Sequence, residues 1–180
     1  MQQAVIILES ERLYFRPHEL ADLDSFCAME MDADVRRYVG GYPRSREDAE
    51  RKFPYRQLQE VSGRLGVWAT VLKSNGQYIG RCGLYPHINS AGEVVAGEAS
   101  LSFYLARAYW GQGLASEAAR AFVEFGWKQL QLSRIVTTVQ VGNAASVRIL
   151  EKLGFDLVAT ENGQRSFFKF ALQNAEQRKG

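Results

Sequence analysis

The sequence predicts an α/β (α+β) single domain, a mixed sheet flanked by helices, and three observations carry that prediction. After Ser100, strand and helix patterns alternate, which requires at least one parallel strand pair joined by a crossover. Before that point, two β-rich runs meet at Ser74-Asn75-Gly76, where Asn-Gly favours the primed turns of an antiparallel hairpin. The chain has 180 residues, 46% of them apolar, with no low-complexity tract or internal repeat, enough for one domain with a sizeable core.

Taken in order, Leu13 to Arg16 reads as a first strand and Leu20 to Met31 as a helix. A turn-rich loop follows, then a helical stretch from Ser45 to Val61, with Ser45 as its cap and Asp48 three residues on. Gly66 to Leu72 and Gln77 to Tyr85 are the hairpin strands, and Glu93 to Leu105 is a longer strand. A helix from Leu114 runs to about Leu130, followed by a β-branched strand from Arg134 to Val139 and a helix from Ala144 to Leu153. Asp156 to Thr160 and Ser166 to Ala171 form a terminal hairpin around Asn162-Gly163. The domain is expected over residues 1–172, with a polar, fraying tail at 173–180. Trp68, Phe122, Phe125 and Trp127 are expected in the core.

The chemistry concentrates in Tyr109-Trp110-Gly111-Gln112-Gly113-Leu114-Ala115-Ser116-Glu117-Ala118, where a strand ends in a glycine turn that opens an amphipathic helix. A helix N-terminus leaves its first N–H groups without acceptors, and glycines lack the Cβ that would hold an anion away, so a pyrophosphate fits such a junction. It is not a nucleotide P-loop, which needs Lys-Ser/Thr where this chain has Leu114-Ala115. Nor is it a dinucleotide fingerprint, because Ser116 stands at the third glycine position. Alone, the pattern reads first as a glycine-rich tight turn without a ligand.

A second segment changes its weight: Val141-Gly142-Asn143-Ala144-Ala145-Ser146-Val147-Arg148-Ile149-Leu150-Glu151-Lys152-Leu153-Gly154-Phe155. In this order and about thirty residues apart, the two segments resemble the acyl-CoA-binding motifs of the GNAT superfamily of N-acetyltransferases. The forms W-G-x-G-x-A-x-E-A and N-x-x-S-x-x-x-L-E-K-L-G-F are most similar to the ribosomal-protein-alanine N-acetyltransferase branch. The resemblance spans essentially the whole chain and is strongest from Ser100 to Phe155.

The resemblance implies a twisted, mostly antiparallel mixed sheet whose glycine-motif strand and next strand splay at a bulge, with the pantetheine of acetyl-CoA in the gap. Phe103, Tyr104 and Leu105 would supply the strand edge, and a backbone N–H near Leu105 would polarise the thioester carbonyl. Backbone N–H groups of Gly111, Gln112, Gly113, Leu114, Ala115 and Ser116 would receive the pyrophosphate. Trp110 stands where Gln or Arg is usual, so the cradle relies on backbone donors and helix polarity, with any cation coming from elsewhere. Asn143 and Ser146 would contact cofactor or amine, or serve as helix caps, and both readings stand. Leu150 replaces a tyrosine that in many members protonates the thiolate, leaving Ser146, a water or no acid at all. Glu98 is the candidate general base, although the branch often carries its glutamate two residues later, at Ser100; residues two apart on a strand share a face. An ordinary strand role for Glu98 stands beside that reading, and His87, in the turn after Tyr85-Pro86, reads first as a solvated loop residue and second as one facing the acceptor side. Tyr38 and Tyr42 fall where the acceptor wall is expected, and Arg36, Arg37 and Arg44 beside them favour an acceptor with an acidic or neutral flank. Glu117 and Glu151 read as structural helix residues.

The expected activity is acetyl transfer from acetyl-CoA, as co-substrate, to a primary amine by direct attack in a ternary complex, without metal or acyl-enzyme. The acceptor is a protein N-terminus or a small amine of aminoglycoside or polyamine type, and a non-catalytic acyl-CoA-binding module is the alternative of a different class. With 22 basic and 20 acidic residues the net charge is +2, which drives the chain toward neither nucleic acid nor membrane. No secretory signal or membrane-length apolar run is present, so the expected location is cytoplasmic. Cys27 and Cys82 lack metal-ligand spacing and read as buried thiols. Monomer and homodimer both remain open, since the terminal hairpin can close the sheet or pair with a second subunit.

Overall fold

A computed structural model describes residues 5–57 and 65–175. The strands are β1 (Leu8–Glu9), β2 (Leu13–Arg16), β3 (Gly66–Leu72), β4 (Tyr78–Ile88), β5 (Val94–Leu105), β6 (Arg134–Gln140), β7 (Asp156–Glu161) and β8 (Phe167–Gln173). They form one sheet in the order β1-β2-β3-β4-β5-β6-β8-β7. Every neighbouring pair is antiparallel except β5 and β6, so the expected mixed, mostly antiparallel sheet is what forms.

The helices are α1 (Leu23–Met31), α2 (Ala33–Arg36), α3 (Arg46–Lys52), α4 (Pro54–Gln57), α5 (Leu114–Lys128) and α6 (Ala144–Lys152). On one face of the sheet, Leu114, Ala118, Ala119, Phe122 and Phe125 of α5 pack on Phe15, Trp68, Leu84, Leu101 and Ile135, and Trp127 packs at the margin of this core. On the other face, Phe26, Cys27 and Met29 of α1 join Phe53 over Ala69, Val71 and Tyr78. Side chains alternate along a strand, so β5 sends Ala99, Leu101 and Leu105 into the first core and Glu98, Ser100, Ser102 and Tyr104 toward the second face.

Where the elements depart from expectation, local chemistry explains it. The helix expected over Leu20–Met31 opens as a 3-10 turn, because the Asp22 carboxylate turns back to accept from Arg16 Nη1 and Nη2 at 2.7 and 2.8 Å and from the Glu19 N–H at 2.8 Å. The helix from Ser45 begins as expected, with Ser45 Oγ accepting from the Asp48 N–H at 3.1 Å, but it divides after Lys52. Pro54 has no N–H to continue the ladder, so α4 starts afresh there; the remainder of that expected helix, at 58–61, lies outside the described residues. The turn-rich loop contains α2, nucleated by the Asp32 side chain, which accepts from the Asp34 and Val35 N–H groups. Helix α5 stops at Lys128, ahead of Gln131 with its φ of +53°. The two residues of β1 are too few for a periodic signal. Gln173, placed in the tail by the sequence, is the last residue of β8, and 176–180 are outside the described residues. Cys27 and Cys82 are buried free thiols.

Candidate active site

The parallel pair β5–β6 holds for only three rungs, Glu98↔Arg134, Ala99↔Ile135 and Ser100↔Val136. Beyond them Leu101 to Leu105 pair only with β4 and Thr137 to Gln140 only with β8, so the sheet splits between its two central strands. Thr137 Oγ1 donates to the Leu101 carbonyl at 2.9 Å, a side chain standing where the next backbone rung would be. No register shift interrupts the β5–β6 ladder itself; the irregularity lies across β5, between Pro86 and Ile88 of β4, just past the Pro86↔Ala99 pair. The polar backbone edge of Phe103, Tyr104 and Leu105 is thus presented to the gap. The side chain of Leu105 is in the core, and its carbonyl is taken by the Trp110 indole N–H at 2.8 Å.

That bond folds the chain into the glycine turn. Gly111 and Gly113 have φ of +75° and +76°, the left-handed region that glycine enters without penalty. A Cβ built on Gly111 would meet nothing within 4 Å, so the space above the turn is open, and Gly113 caps α5 with the first-turn N–H groups of Leu114, Ala115 and Ser116 behind it. A diphosphate fits this arrangement: an open concavity, outward N–H donors and the positive end of a 15-residue helix. Gln112 braces the turn, its Nε2 donating to the Ala108 carbonyl at 3.0 Å.

The cation absent at Trp110 is supplied near the turn by Arg12, which the sequence does not single out. Arg12 Nη1 donates to the Gln112 carbonyl at 3.0 Å, and Nε to Glu117 Oε2 at 2.6 Å. Glu117 also accepts from the Arg12 N–H and the Ser10 hydroxyl, both at 2.7 Å, so it clamps the β1–β2 turn to α5. Burial pushes the Glu117 carboxyl up, but the Arg12 N–H, the Ser10 hydroxyl and the Arg12 guanidinium outweigh it and hold the group below its usual 4.5. A carboxyl held low in the folded state adds stability that is full above its unfolded pKa and fades as pH falls through the folded one. Glu117→Gln is therefore expected to lower stability at pH 7 and to flatten the loss of stability below about pH 4.5. Denaturant unfolding at pH 7 and in that acid range checks this, and equal acid losses in the two proteins would dismiss the clamp.

Helix α6 lines the opposite wall of the gap. Asn143 Oδ1 accepts from the Ser146 N–H at 3.2 Å, so Asn143 is the N-cap of this helix. Both side chains also line two adjoining cavities of about 230 and 220 Å³ within the split, together with Tyr38, Phe103 and Tyr104. The smaller cavity reaches Trp110, Gly111 and Ala115 at the glycine turn. Leu150 is fully buried in the core, so nothing at that position reaches the gap.

A third cavity, of about 420 Å³, adjoins the split through Tyr85, Thr137 and Thr138 on the face away from α5. His87, Ser100 and Arg134 line it. His87 is a half-buried residue of β4, not a solvated loop residue: its Nδ1 lies 3.3 Å from Ser100 Oγ and its Nε2 3.9 Å from Glu98 Oε2. Arg134 Nη1 stands 3.5 Å from Glu98 Oε1. Glu98 and Ser100, two apart on β5, thus share a face, and His87 spans them from the neighbouring strand.

Of the two expected acceptor tyrosines, Tyr38 lines the split, whereas Tyr42 is 67% exposed and lines none of the cavities described; its carbonyl accepts from Arg36 Nε at 3.3 Å. The arginines expected to flank an acceptor are engaged by carboxylates of the protein, two of them by one buried glutamate. Glu30 Oε2 holds Arg36 Nη1 at 3.1 Å and Arg44 Nε at 2.8 Å, while Arg37 pairs with Asp34 at 2.8 Å. The reading of an acidic or neutral acceptor flank from these three is therefore corrected: Glu30, at the end of the preceding helix, takes two of them, and Asp34 pairs with the third. Among the described residues, no group of three or more His, Cys, Asp or Glu side chains is disposed to hold a metal, and no helix is long and apolar enough to cross a membrane.

Comparison with known proteins agrees with this geometry. Residues 12–156 match the family model described as an acetyltransferase (GNAT) domain. The uncharacterized N-acetyltransferase p20 of Bacillus licheniformis is 30% identical over 150 residues, 82% of this chain and 81% of that protein. The ribosomal L7/L12 alpha-N-protein acetyltransferase RimL shares the fold at a TM-score of 0.76 and 16% identity, over 96% of each chain. The aminoglycoside acetyltransferase AAC(6')-Ib, solved with coenzyme A, shares it at 0.71 and 21%, over 93% of this chain and 98% of that one. With a split sheet, a glycine cradle and a family model covering most of its length, this chain belongs to the GNAT family of acetyl-CoA-dependent N-acetyltransferases.

Proposed function

We propose that the chain acetylates a primary amine delivered through the 420 Å³ cavity, by direct attack on the thioester held in the split. The observation that carries this reading is the continuity of the three cavities, from the glycine turn through the gap to His87 and Ser100. Acetyl-CoA supplies the activated acyl group, and the chain's own residues supply position and proton transfer. Backbone donors of Gly111 to Ser116 hold the diphosphate, and the strand edge at Phe103 and Tyr104 aligns the pantetheine amides. Glu98, steadied by Arg134 and adjoining His87, accepts the amine proton, which leaves the nitrogen lone pair free for attack. Ser146, which lines the gap, is the residue assigned to protonate the departing thiolate, since Leu150 is enclosed.

Both a protein-terminus enzyme and an aminoglycoside enzyme share this fold, so the fold does not select between their acceptors. The test is release of free CoA thiol on addition of N-terminal peptides and small amines. Turnover with any of them supports the proposal, and tight CoA binding with no thiol release across the panel would make the chain a binding module.

Asn143 and Ser146 separate by the same assay. Asn143→Ala is expected to cost about 1 kcal/mol of stability as a lost helix cap. Ser146→Ala removes no cap acceptor, so it is expected to slow transfer with stability held to within about 0.5 kcal/mol. Unfolding and rate are measured together, and a rate for Ser146→Ala that tracks only its folded fraction would remove the acid role.

A further inference from the structure

A fourth cavity, of about 540 Å³, opens beside the acceptor side of the split, sharing Tyr85 with both neighbouring cavities. Its rim is apolar and exposed, formed by Tyr85, Ile88 and Val94. Its inner wall includes Ser102, Arg56 and Arg81. Arg81 is only 5% exposed, in the middle of β4, with its guanidinium stacked 4.3 Å above the Tyr104 ring. One nitrogen, Nη2, reaches Glu30 Oε1 at 3.3 Å, whereas Nε and Nη1 have no hydrogen-bond partner. Three N–H donors of a buried guanidinium are therefore unsatisfied, a costly state for a group that pairs in a fork with carboxylate or phosphate.

No carboxylate among the described residues is positioned to satisfy them. Glu30 already accepts from Arg36, Arg44, Arg81 and the Tyr104 hydroxyl, one negative charge against three guanidiniums. Among the described residues, the lining of this cavity contains no acidic side chain. Burial, and next the neighbouring Arg56, draw the Arg81 guanidinium down to about 9.

We infer that this cavity is an acceptor subsite for an oxyanion, so that the preferred acceptors are amines that also carry a carboxylate or phosphate, with Arg81 as the residue that selects them. The inference rests on the proposed acceptor path, because Tyr85 and Ser102 are what join this cavity to the split. An acceptor whose amine reaches the split beside Tyr85 and Ser102 then projects its anionic group toward Arg81 and lays its apolar part on Tyr85, Ile88 and Val94. A polycationic amine meets the wrong sign here.

The test uses matched acceptors in the thiol-release assay: peptides with Asp or Asn following the same first residue, and small amines that are free acids or the corresponding amides. The acidic member of each pair is expected to show kcat/KM about 10- to 100-fold higher, the worth of one charged hydrogen-bonded pair. The peptide and small-molecule arms distinguish the source of the oxyanion. Arg81→Lys keeps a cation for Glu30 but loses the fork, and is expected to bring the ratio close to one with acetyl-CoA affinity unchanged; its melting curve establishes that it folds. Amides that react as well as acids would overturn the subsite while leaving the acetyltransferase reading intact. If no amine in the panel reacts, inorganic phosphate decides: saturable thermal stabilisation of the CoA-bound protein, beyond chloride at equal ionic strength and lost in Arg81→Lys, supports the subsite, and its absence overturns it.

Discussion

Glu30→Gln is expected to destabilise the protein by roughly 3–5 kcal/mol, the cost of leaving buried charges without their partner. Glu30 is 2% exposed at the end of α1, and its two oxygens bind three arginines and a tyrosine. Arg44 comes from the loop before α3, Arg36 from α2, Arg81 from β4 and Tyr104 from the strand edge that faces the split. Glutamine retains the shape but turns an amide N–H₂ toward guanidiniums that have no other acceptor of comparable strength. Because Tyr104 loses its anchor, acetyl-CoA affinity is expected to fall as well, even in the folded fraction. Denaturant unfolding and thermal melting check the first effect, with a drop in Tm on the order of 10 °C for a chain of this size. A loss under about 1 kcal/mol would mean that the arginines are solvated locally and that Glu30 is not the centre of this network.

The same cluster shows why some of the site was legible in the sequence and some was not. Helix α5 was readable because Leu114, Ala118, Ala119 and Phe122 recur at its period and Gly113 marks its start; such signals are local. The pyrophosphate cradle follows from the same few residues. The split between β5 and β6 has no local signature: Leu101 to Leu105 reads as a strand whether or not its neighbour remains paired, so only family resemblance pointed to it. Arg36, Arg37 and Arg44 look like a cationic loop until Glu30 is brought beneath them. Arg81 looks like one charge in the run Tyr78-Ile79-Gly80-Arg81-Cys82-Gly83-Leu84, and its sequestration depends on α1 and Phe53 covering that face. His87 follows Pro86, which reads as a turn, yet β4 continues through it to Ile88 because β5 offers a partner as far as Val94. The Arg12–Glu117 clamp spans 105 positions, beyond the reach of any windowed pattern.

Glu98→Gln is expected to slow transfer at neutral pH by on the order of a hundredfold, the usual contribution of a positioned general base, with acetyl-CoA affinity intact. Glu98 sits on the last stretch of β5 that is still paired to β6, one face-sharing step before Ser100 and the opening of the gap. Its carboxylate stands between Arg134 at 3.5 Å and His87 at 3.9 Å, and both of those line the cavity through which the amine is proposed to arrive. Arg134 sets a positive charge beside the carboxylate, and the imidazole, its Nδ1 3.3 Å from Ser100 Oγ, stands next to it on the cavity side. In Glu98→Gln the group that receives the amine proton is gone, and in His87→Gln its imidazole neighbour is gone, so both variants are expected to transfer more slowly, Glu98→Gln the more. Measuring kcat/KM against pH for all three proteins, beside CoA binding by calorimetry, tests the arrangement. An unchanged profile and a nearly unchanged rate in Glu98→Gln would mean that the amine arrives already deprotonated from solvent, and that Glu98 serves only to pair Arg134 across the β5–β6 ladder.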